Sequence, residues 1–207
     1  VTLNSGATVS GGVSTGAGDD VVTVQGGGTV DANVNGGAGA DSVTLNGGTN
    51  LNGAFDGGGD LDTLLSATST VFQITGTDAG ALVGRGATFS NVENLTGADN
   101  LADTFQFEGG TLSGTIDGGV SAGAVENDTL LGSIAVAGDV FTITAVDGGT
   151  AQVGGVTTTF QDIQTIDGRS GDDSFAVDSA AGLSGTLLGG AGNDSLTGSG
   201  DDETFII

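Results

Sequence analysis

Short runs in which apolar and polar residues alternate recur along the whole chain. Val43, Thr44 and Leu45 form one such run, and the segment 141–144, FTIT, is another. Alternation with a period of two is typical of β-strands that bury one face. No segment has a sustained apolar stripe with the helical period, and the many glycines disfavour helix. The pattern therefore predicts an all-β protein built from many short strands.

The alternating runs repeat at a fixed spacing in the first third of the chain. The segments 1–20, 21–41 and 42–62 align, and each has a V-T-[LV] run, a glycine-rich corner, a second short run and a Gly/Asp turn. Repeats of about 21 residues with two or three short strands are expected to stack as the coils of a parallel β-solenoid, or β-helix.

Two longer units follow, 63–128 and 129–194, and the tetrapeptide DTLL spans the start of each, at 62–65 and 128–131. Small insertions and deletions within the two units cancel in length, so we expect three coils of about 21 residues in each unit. The segment 195–207 then begins a partial coil. Residues 1–207 are predicted to form a single solenoid segment, and because the sequence does not begin with Met we expect a longer parent protein.

Stacking assigns a role to each column of equivalent residues. Leu3, Val24 and Leu45 are predicted to form an inward column. The phenylalanines at matching positions of the long units are predicted to pack in the core: Phe72 and Phe141, Phe89 and Phe160, Phe105 and Phe175.

The threonines Thr2, Thr23 and Thr44 alternate with inward residues and are expected to face outward. An ice-binding surface would require paired threonine columns over many coils. Only one short column is clear from the sequence, which favours an ordinary solvated strand face.

Composition and charge exclude some classes of binding partner. The chain has 207 residues with 43 Gly, 26 Asp and Glu, only 2 Lys and Arg, and a formal net charge of −24. Such a surface repels nucleic acid and anionic membranes and attracts divalent cations or cationic partners. No apolar run approaches the ~20 residues of a membrane span, so we expect no membrane insertion. The absence of Cys is consistent with an exported bacterial protein without disulfides.

Calcium is the one cofactor that the motifs indicate. GGAGADSVT at 36–44 and GGAGNDSLT at 189–197 match the nonapeptide G-G-x-G-x-D-x-U-x of calcium-binding β-rolls. Calcium takes six to eight oxygen ligands, and glycine-rich turns expose backbone carbonyls beside the carboxylate. The candidate calcium residues are Asp20, Asp41, Asp62, Asp173, Asp194 and Asp202.

The other turns depart from the motif. Thr15 replaces the first Gly before Asp20, Arg169 replaces the second Gly before Asp173, and Glu203 takes the position of the motif Asp near the end of the chain. Stacked carboxylates ~4.8 Å apart repel one another. The sequence leaves four explanations open for these aspartates. They could share a cation, accept hydrogen bonds from turn amides, have raised pKa values, or simply cap a turn.

Catalysis is not expected. The chain lacks His, Cys and Lys, so the usual nucleophile and base pairs are missing. Arg85 and Arg169 lie 84 residues apart and form no basic groove. A carboxylate pair of the glycosidase type is the remaining route to an enzyme.

Several segments resemble a known class of repeat: FSNVENLTG (89–97), LSGTIDGG (112–119) and GGAGNDSLTG (189–198). They are similar to the repeat regions of very large secreted bacterial surface proteins, the filamentous-haemagglutinin-like exoproteins of two-partner secretion and related biofilm adhesins. That resemblance implies a right-handed parallel β-helix that serves as a stalk or filament outside the cell. The two nonapeptides also resemble the RTX (repeats-in-toxin) motif, which implies calcium at Asp41 and Asp194.

We therefore expect a structural segment of a secreted adhesin or biofilm matrix protein at the bacterial cell surface. Its expected partners are an extracellular polysaccharide or a neighbouring cell-surface protein, with end-to-end or lateral self-association as a further mode of contact. The alternatives are a calcium-binding RTX-type secretion-folding module or surface-layer protein and, less favoured, a β-helical polysaccharide-active enzyme.

Overall fold

The computed structural model describes residues 1–120 and 126–198. These residues form 24 β-strands. None of the described residues belongs to a helix long and apolar enough to cross a membrane.

The strands are given in chain order, in groups that follow the predicted units. Residues 1–62 contain β1 (Thr2–Leu3), β2 (Thr8–Val9), β3 (Val13–Ala17), β4 (Val21–Val24), β5 (Thr29–Val30), β6 (Val34–Ala38), β7 (Ser42–Leu45), β8 (Asn50–Leu51) and β9 (Ala54–Gly59). The next unit contains β10 (Thr63–Ser66), β11 (Val71–Gly76), β12 (Ala79–Leu82), β13 (Thr88–Ser90), β14 (Asn94–Thr96), β15 (Thr104–Phe107) and β16 (Thr115–Asp117). The remainder contains β17 (Thr129–Leu131), β18 (Val140–Ala145), β19 (Gly148–Val153), β20 (Val156–Gln161), β21 (Thr165–Asp167), β22 (Ser174–Val177), β23 (Leu187–Leu188) and β24 (Ser195–Gly198).

The strands pair into three sheets. Sheet I has the order β1-β4-β7-β10-β14-β16-β20-β19-β18-β22-β24, sheet II has the order β23-β21-β17-β15-β11-β12-β13-β9-β6-β3, and the small sheet III has the order β2-β5-β8. The chain visits sheets I and II in turn, so strands far apart in sequence lie side by side.

The first three repeats stack with the predicted spacing. Leu3 pairs with Val24, and Val24 with Leu45, in parallel register. All three side chains are buried, and Thr2, Thr23 and Thr44 occupy the alternate, outward positions. We call each of these in-register segments of about 21 residues a layer.

The two long units differ from three plain layers each. In 63–128, strands β11, β12 and β13 form an antiparallel meander within sheet II. In 129–194, strands β18, β19 and β20 form the equivalent meander within sheet I. Each unit crosses between the sheets an odd number of times, so the second unit has its equivalent strands on the opposite sheets.

The core lies between the two large sheets and contains the predicted phenylalanines. Phe72 stacks on Phe105 with ring centroids 4.8 Å apart, and Phe141 stacks on Phe175 at 5.1 Å. Phe89 and Phe160 are also buried. The described residues form an all-β structure with long parallel sheets, which is compatible with the predicted β-solenoid.

Candidate functional site: carboxylate ladders at the strand ends

An acidic or amide side chain precedes most strands of the two large sheets and links adjacent layers. In each link, the main-chain amide of one layer donates a hydrogen bond to a side-chain oxygen of the equivalent residue in the next layer. We call a series of such links a carboxylate ladder. The described residues contain three of them.

The first ladder runs along sheet I at the starts of β4, β7, β10 and β14. The amide of Asp20 donates to Oδ1 of Asp41 at 2.8 Å, and the amide of Asp41 donates to Oδ1 of Asp62 at 2.7 Å. The amide of Asp62 then donates to Oε2 of Glu93 at 2.8 Å. Hydrogen bonds from amides to a charged acceptor are stronger than neutral ones.

The second ladder runs along sheet II at the starts of β11, β15, β17 and β21. The amide of Thr70 donates to Oδ1 of Asp103 at 2.6 Å, and that of Asp103 donates to Oδ1 of Asp128 at 2.7 Å. The amide of Asp128 donates to Oε1 of Gln164, also at 2.6 Å.

The third ladder returns to sheet I at the starts of β18, β22 and β24. The amide of Asp139 donates to Oδ1 of Asp173 at 2.6 Å, and the amide of Asp173 donates to Oδ1 of Asp194 at 2.9 Å.

Five of the six predicted calcium residues therefore lie in ladders, but in two different ones. Asp20, Asp41 and Asp62 share the first ladder, while Asp173 and Asp194 belong to the third. Asp202, like Glu203, lies outside the described residues.

The ladders also contain residues that the nonapeptide motif does not mark. Glu93 and Gln164 could have been found, because the segments 89–97 and 160–168 align and place them at the same position before an apolar strand. Asp139 precedes the strand run VFTIT in the same way as Asp173 precedes SFAV.

A second set of carboxylates links the layers in the opposite direction. Asp19 Oδ1 accepts the amide of Ala40 at 2.9 Å, and Asp172 Oδ1 accepts the amide of Asn193 at 2.8 Å. In the pair 172–173, consecutive aspartates therefore bind different neighbouring layers. Asp172 accepts an amide of the layer that follows, and Asp173 accepts the amide of Asp139 in the layer before.

The other carboxylate oxygen has no such partner at four ladder positions. The Oδ2 atoms of Asp41, Asp62, Asp128 and Asp173 are buried and form no hydrogen bond. These side chains are at most 3% exposed. A buried polar atom without a partner costs about 1–3 kcal/mol, so each of these atoms lowers the stability of the fold as it stands.

The first Gly of each nonapeptide-like turn provides the space for this oxygen. A Cβ on Gly36 would lie 2.3 Å from Asp41 Oδ2 and 2.6 Å from the carbonyl oxygen of Gly57 in the next layer. A Cβ on Gly168 would likewise lie 2.3 Å from Asp173 Oδ2 and 2.6 Å from the carbonyl oxygen of Gly189. A carboxyl oxygen and a carbonyl oxygen thus face the same small space at each corner.

Burial alters the protonation of the ladders. Desolvation raises the pKa of Asp62, Asp103 and Asp173 to about 6, from an ordinary value of about 4. It raises the pKa of Asp128 to about 7. The amide bonds to Oδ1 act in the opposite direction but offset only part of the effect. Neighbouring carboxylates add to the rise, as Glu93 does at Asp62.

Each corner supplies few ligands for calcium. One free carboxylate oxygen and one facing carbonyl are fewer than the six to eight oxygens that calcium takes. No group of three or more His, Cys, Asp or Glu close enough to hold a metal occurs among residues 1–120 and 126–198. The contacts of Arg169 are with groups outside the ladders. Its Nη1 lies 2.9 Å from Glu108 Oε1 and donates to the main-chain carbonyls of Phe107 (3.4 Å) and Gly132 (3.5 Å).

No family model matches this chain, and no curated protein or solved structure is significantly similar to it. The fold and the site therefore define its class by themselves. It is an all-β protein with long parallel sheets whose adjacent layers are joined by buried carboxylate side chains.

Proposed function

We propose that this chain is a structural stalk or filament segment, folded as a right-handed parallel β-solenoid, in a secreted bacterial adhesin or biofilm matrix protein. The observation that carries the proposal is the continuous pairing of sheet I from β1 to β24. Each layer in such a stack contacts only its neighbours, so length grows by adding layers and the ends are kept apart. The role is mechanical rather than catalytic.

The carboxylate ladders support a mechanical role because they reinforce the direction of stacking. Every ladder bond joins one layer to the next, in addition to the main-chain bonds of the sheets. Charge-assisted bonds of this kind are about twice as strong as neutral ones. The net charge of −24 favours cationic groups on a neighbouring cell surface or matrix as partners.

A calcium-dependent module, of the RTX or surface-layer type, is the second candidate. The observation in its favour is the set of buried Oδ2 atoms without partners, each facing a carbonyl oxygen of the next layer. In that case calcium would drive folding, because metal binding and folding are coupled when the site exists only in the folded chain.

Thermal unfolding with and without a chelator separates the two candidates. For the stalk, we expect the same melting midpoint in 5 mM EGTA and in 5 mM calcium at equal ionic strength, because amide bonds to Oδ1 hold the layers without metal. Loss of the folded state in EGTA would contradict the stalk and support the calcium module. Magnesium at the same concentration is the control for general screening of the acidic surface.

A further inference from the structure

The dipeptide Asn-Gly occurs three times in the chain, at 35–36, 46–47 and 52–53. This dipeptide is chemically reactive, because the main-chain nitrogen of the glycine can attack the side-chain amide carbon of the asparagine. Glycine has no Cβ to hinder that approach. The two groups must nevertheless be free to move together, so the surroundings of each dipeptide decide whether it reacts.

The first dipeptide, Asn35-Gly36, is held inside a sheet. It lies in β6, which pairs with β3 on one side and with β9 on the other. Asn35 is in register with Ser14 and Asp56, and Gly36 is buried. Attack by the Gly36 nitrogen would require a rotation of the main chain that breaks this pairing, so the folded chain protects the first dipeptide.

The third dipeptide, Asn52-Gly53, lies between β8 and β9 and is held by the layer before it. Asn52 Nδ2 donates to Asp31 Oδ1 at 2.8 Å, and the main-chain amide of Asn52 donates to the carbonyl of Val30 at 2.8 Å. A Cβ on Gly53 would lie 2.5 Å from the main-chain carbonyl carbon of Ala32, so Gly53 is packed against that layer. Both reacting groups are therefore restrained.

The second dipeptide, Asn46-Gly47, has neither kind of restraint. It follows β7 in a turn that is closed by a hydrogen bond from the amide of Thr49 to the carbonyl of Asn46 at 3.2 Å. Gly47 is exposed, and a Cβ on it would meet only Thr68 Cγ2, at 3.5 Å. Within the described part of the chain, the side-chain amide of Asn46 and the main-chain amide of Gly47 form no hydrogen bond.

We propose that Asn46 is a site of spontaneous covalent modification, namely deamidation through a cyclic imide. The Gly47 nitrogen loses its proton and forms a bond to Asn46 Cγ, the bond from Cγ to Nδ2 breaks, and ammonia leaves. Water then adds to one of the two imide carbonyls and opens the ring. The product is aspartate, or isoaspartate with the main chain running through Cβ. Water is the only co-reactant, and nothing is oxidised or reduced.

The modification changes a neutral position in the stack. Gln25 and Ala67 occupy the equivalent positions in the neighbouring layers, and neither is charged. Aspartate at position 46 adds one negative charge between them. Isoaspartate also inserts a carbon into the main chain of the turn, beside the carbonyl that accepts the amide of Thr49. The reaction needs no partner protein, so it applies to a stalk and to a calcium module alike.

Peptide mapping by mass spectrometry tests the proposal on the folded chain incubated at pH 8 and 37 °C. Digestion with pepsin at acid pH keeps further deamidation slow during the preparation. We expect Asn46 to convert at least about tenfold faster than Asn52, because the hydrogen bond from Asn52 to a charged acceptor must break before that residue can react. Asn35 is expected to convert more slowly than Asn46 as well. In guanidinium chloride the unfolded chain is expected to convert all three at similar rates.

The variant Gly47→Ala tests the route through the cyclic imide. Gly47 does not have a positive φ, and its Cβ would make only an ordinary contact, so alanine fits the fold. We expect slower conversion of Asn46 in this variant, because the added methyl group hinders the attacking nitrogen. Gly11→Ala, at another exposed glycine with open space around it, is the control and is expected to leave the rate unchanged.

Each outcome decides the question. Faster conversion at Asn46 than at Asn35 and Asn52, with isoaspartate among the products, supports the proposal. Equal rates at the three sites in the folded chain, no conversion of Asn46 while the unfolded chain reacts, or an unchanged rate in folded Gly47→Ala overturns it. If Gly47→Ala fails to fold, the comparison of the three sites in the wild-type chain decides alone.

Discussion

Replacing Gly57 with alanine is expected to destabilise the protein strongly. A Cβ at this position would lie 2.1 Å from the carbonyl oxygen of Asn91 and 2.4 Å from Asp62 Oδ2. Both atoms are fixed, the first by the backbone and the second by its place in a buried ladder, so neither is free to move aside. Overpacking of this kind costs about 3 kcal/mol, which corresponds to a fall of about 10 °C in the melting midpoint of a chain of this size.

The control for this substitution is Gly11→Ala. A Cβ on Gly11 would meet no heavy atom within 4 Å, and neither Gly11 nor Gly57 has a positive φ that alanine would resist. We therefore expect the melting midpoint of Gly11→Ala to stay within about 2 °C of the wild type. Equal effects of the two substitutions would show that the space beside the Asp62 carboxylate is not what requires Gly57.

Lowering the pH from 8 to 5 in metal-free buffer is expected to stabilise the protein. The pKa values of Asp62, Asp103 and Asp173 are raised to about 6, and that of Asp128 to about 7. Between pH 4 and 7 the folded chain therefore binds more protons than the unfolded chain, so its stability falls as the pH rises. The contribution is complete below about pH 4 and is lost as the pH rises through 6 and 7.

The substitution Asp128→Asn separates this effect from the general loss of negative charge. An amide keeps the oxygen that accepts the amide hydrogen of Asp103 and replaces the unpartnered Oδ2 by a donor near the carbonyl oxygen of Asp162. At pH 8 we expect a gain of about 2 kcal/mol, and near pH 4.5 we expect the gain to vanish. Asp178→Asn removes the same charge from an exposed site and is the control. If Asp128→Asn is destabilising at pH 8, the carboxylate has a partner that the amide cannot replace.

Much of the fold follows from periodicity. The spacing of 21 residues predicts the register of Leu3, Val24 and Leu45 and the outward position of their threonine neighbours, and the structure confirms both. A period of two requires one buried and one outward face, and equal spacing requires the same face in every layer.

The antiparallel meanders could not be predicted from alternation alone. Parallel and antiparallel strands share the same period, so the segments 72–75 (FQIT) and 141–144 (FTIT) look alike in either arrangement. The missing signal lies in the turns. Asp78 and Asp147 adopt positive φ in the two-residue connections after β11 and β18. The sequence Asp-Ala-Gly at the first connection and Asp-Gly at the second favours a hairpin. The same insertions explain why the ladder partners of Asp62 and Asp128 lie 31 and 36 residues away.

The chemistry of the carboxylates was predictable in kind but not in position. Close stacking of acids in an apolar corner requires hydrogen bonds, protons or cations, and the structure shows amide bonds together with raised pKa values. Which oxygen lacks a partner depends on the direction of each side chain. The glycine beside each carboxylate sets that direction, as Gly36 does for Asp41. It becomes visible only once the layers are in contact.

We expect the buried carboxyl groups of the ladders to take up a proton as the pH falls towards 6, and to bind no metal ion. The most direct test is to follow the ¹³Cγ chemical shifts of Asp62, Asp103, Asp128 and Asp173 through a pH titration. We expect midpoints of about 6 for three of them and about 7 for Asp128, with the same values in the presence of 5 mM calcium. Midpoints near 4 in metal-free buffer, or a large fall when calcium is added, would contradict this expectation.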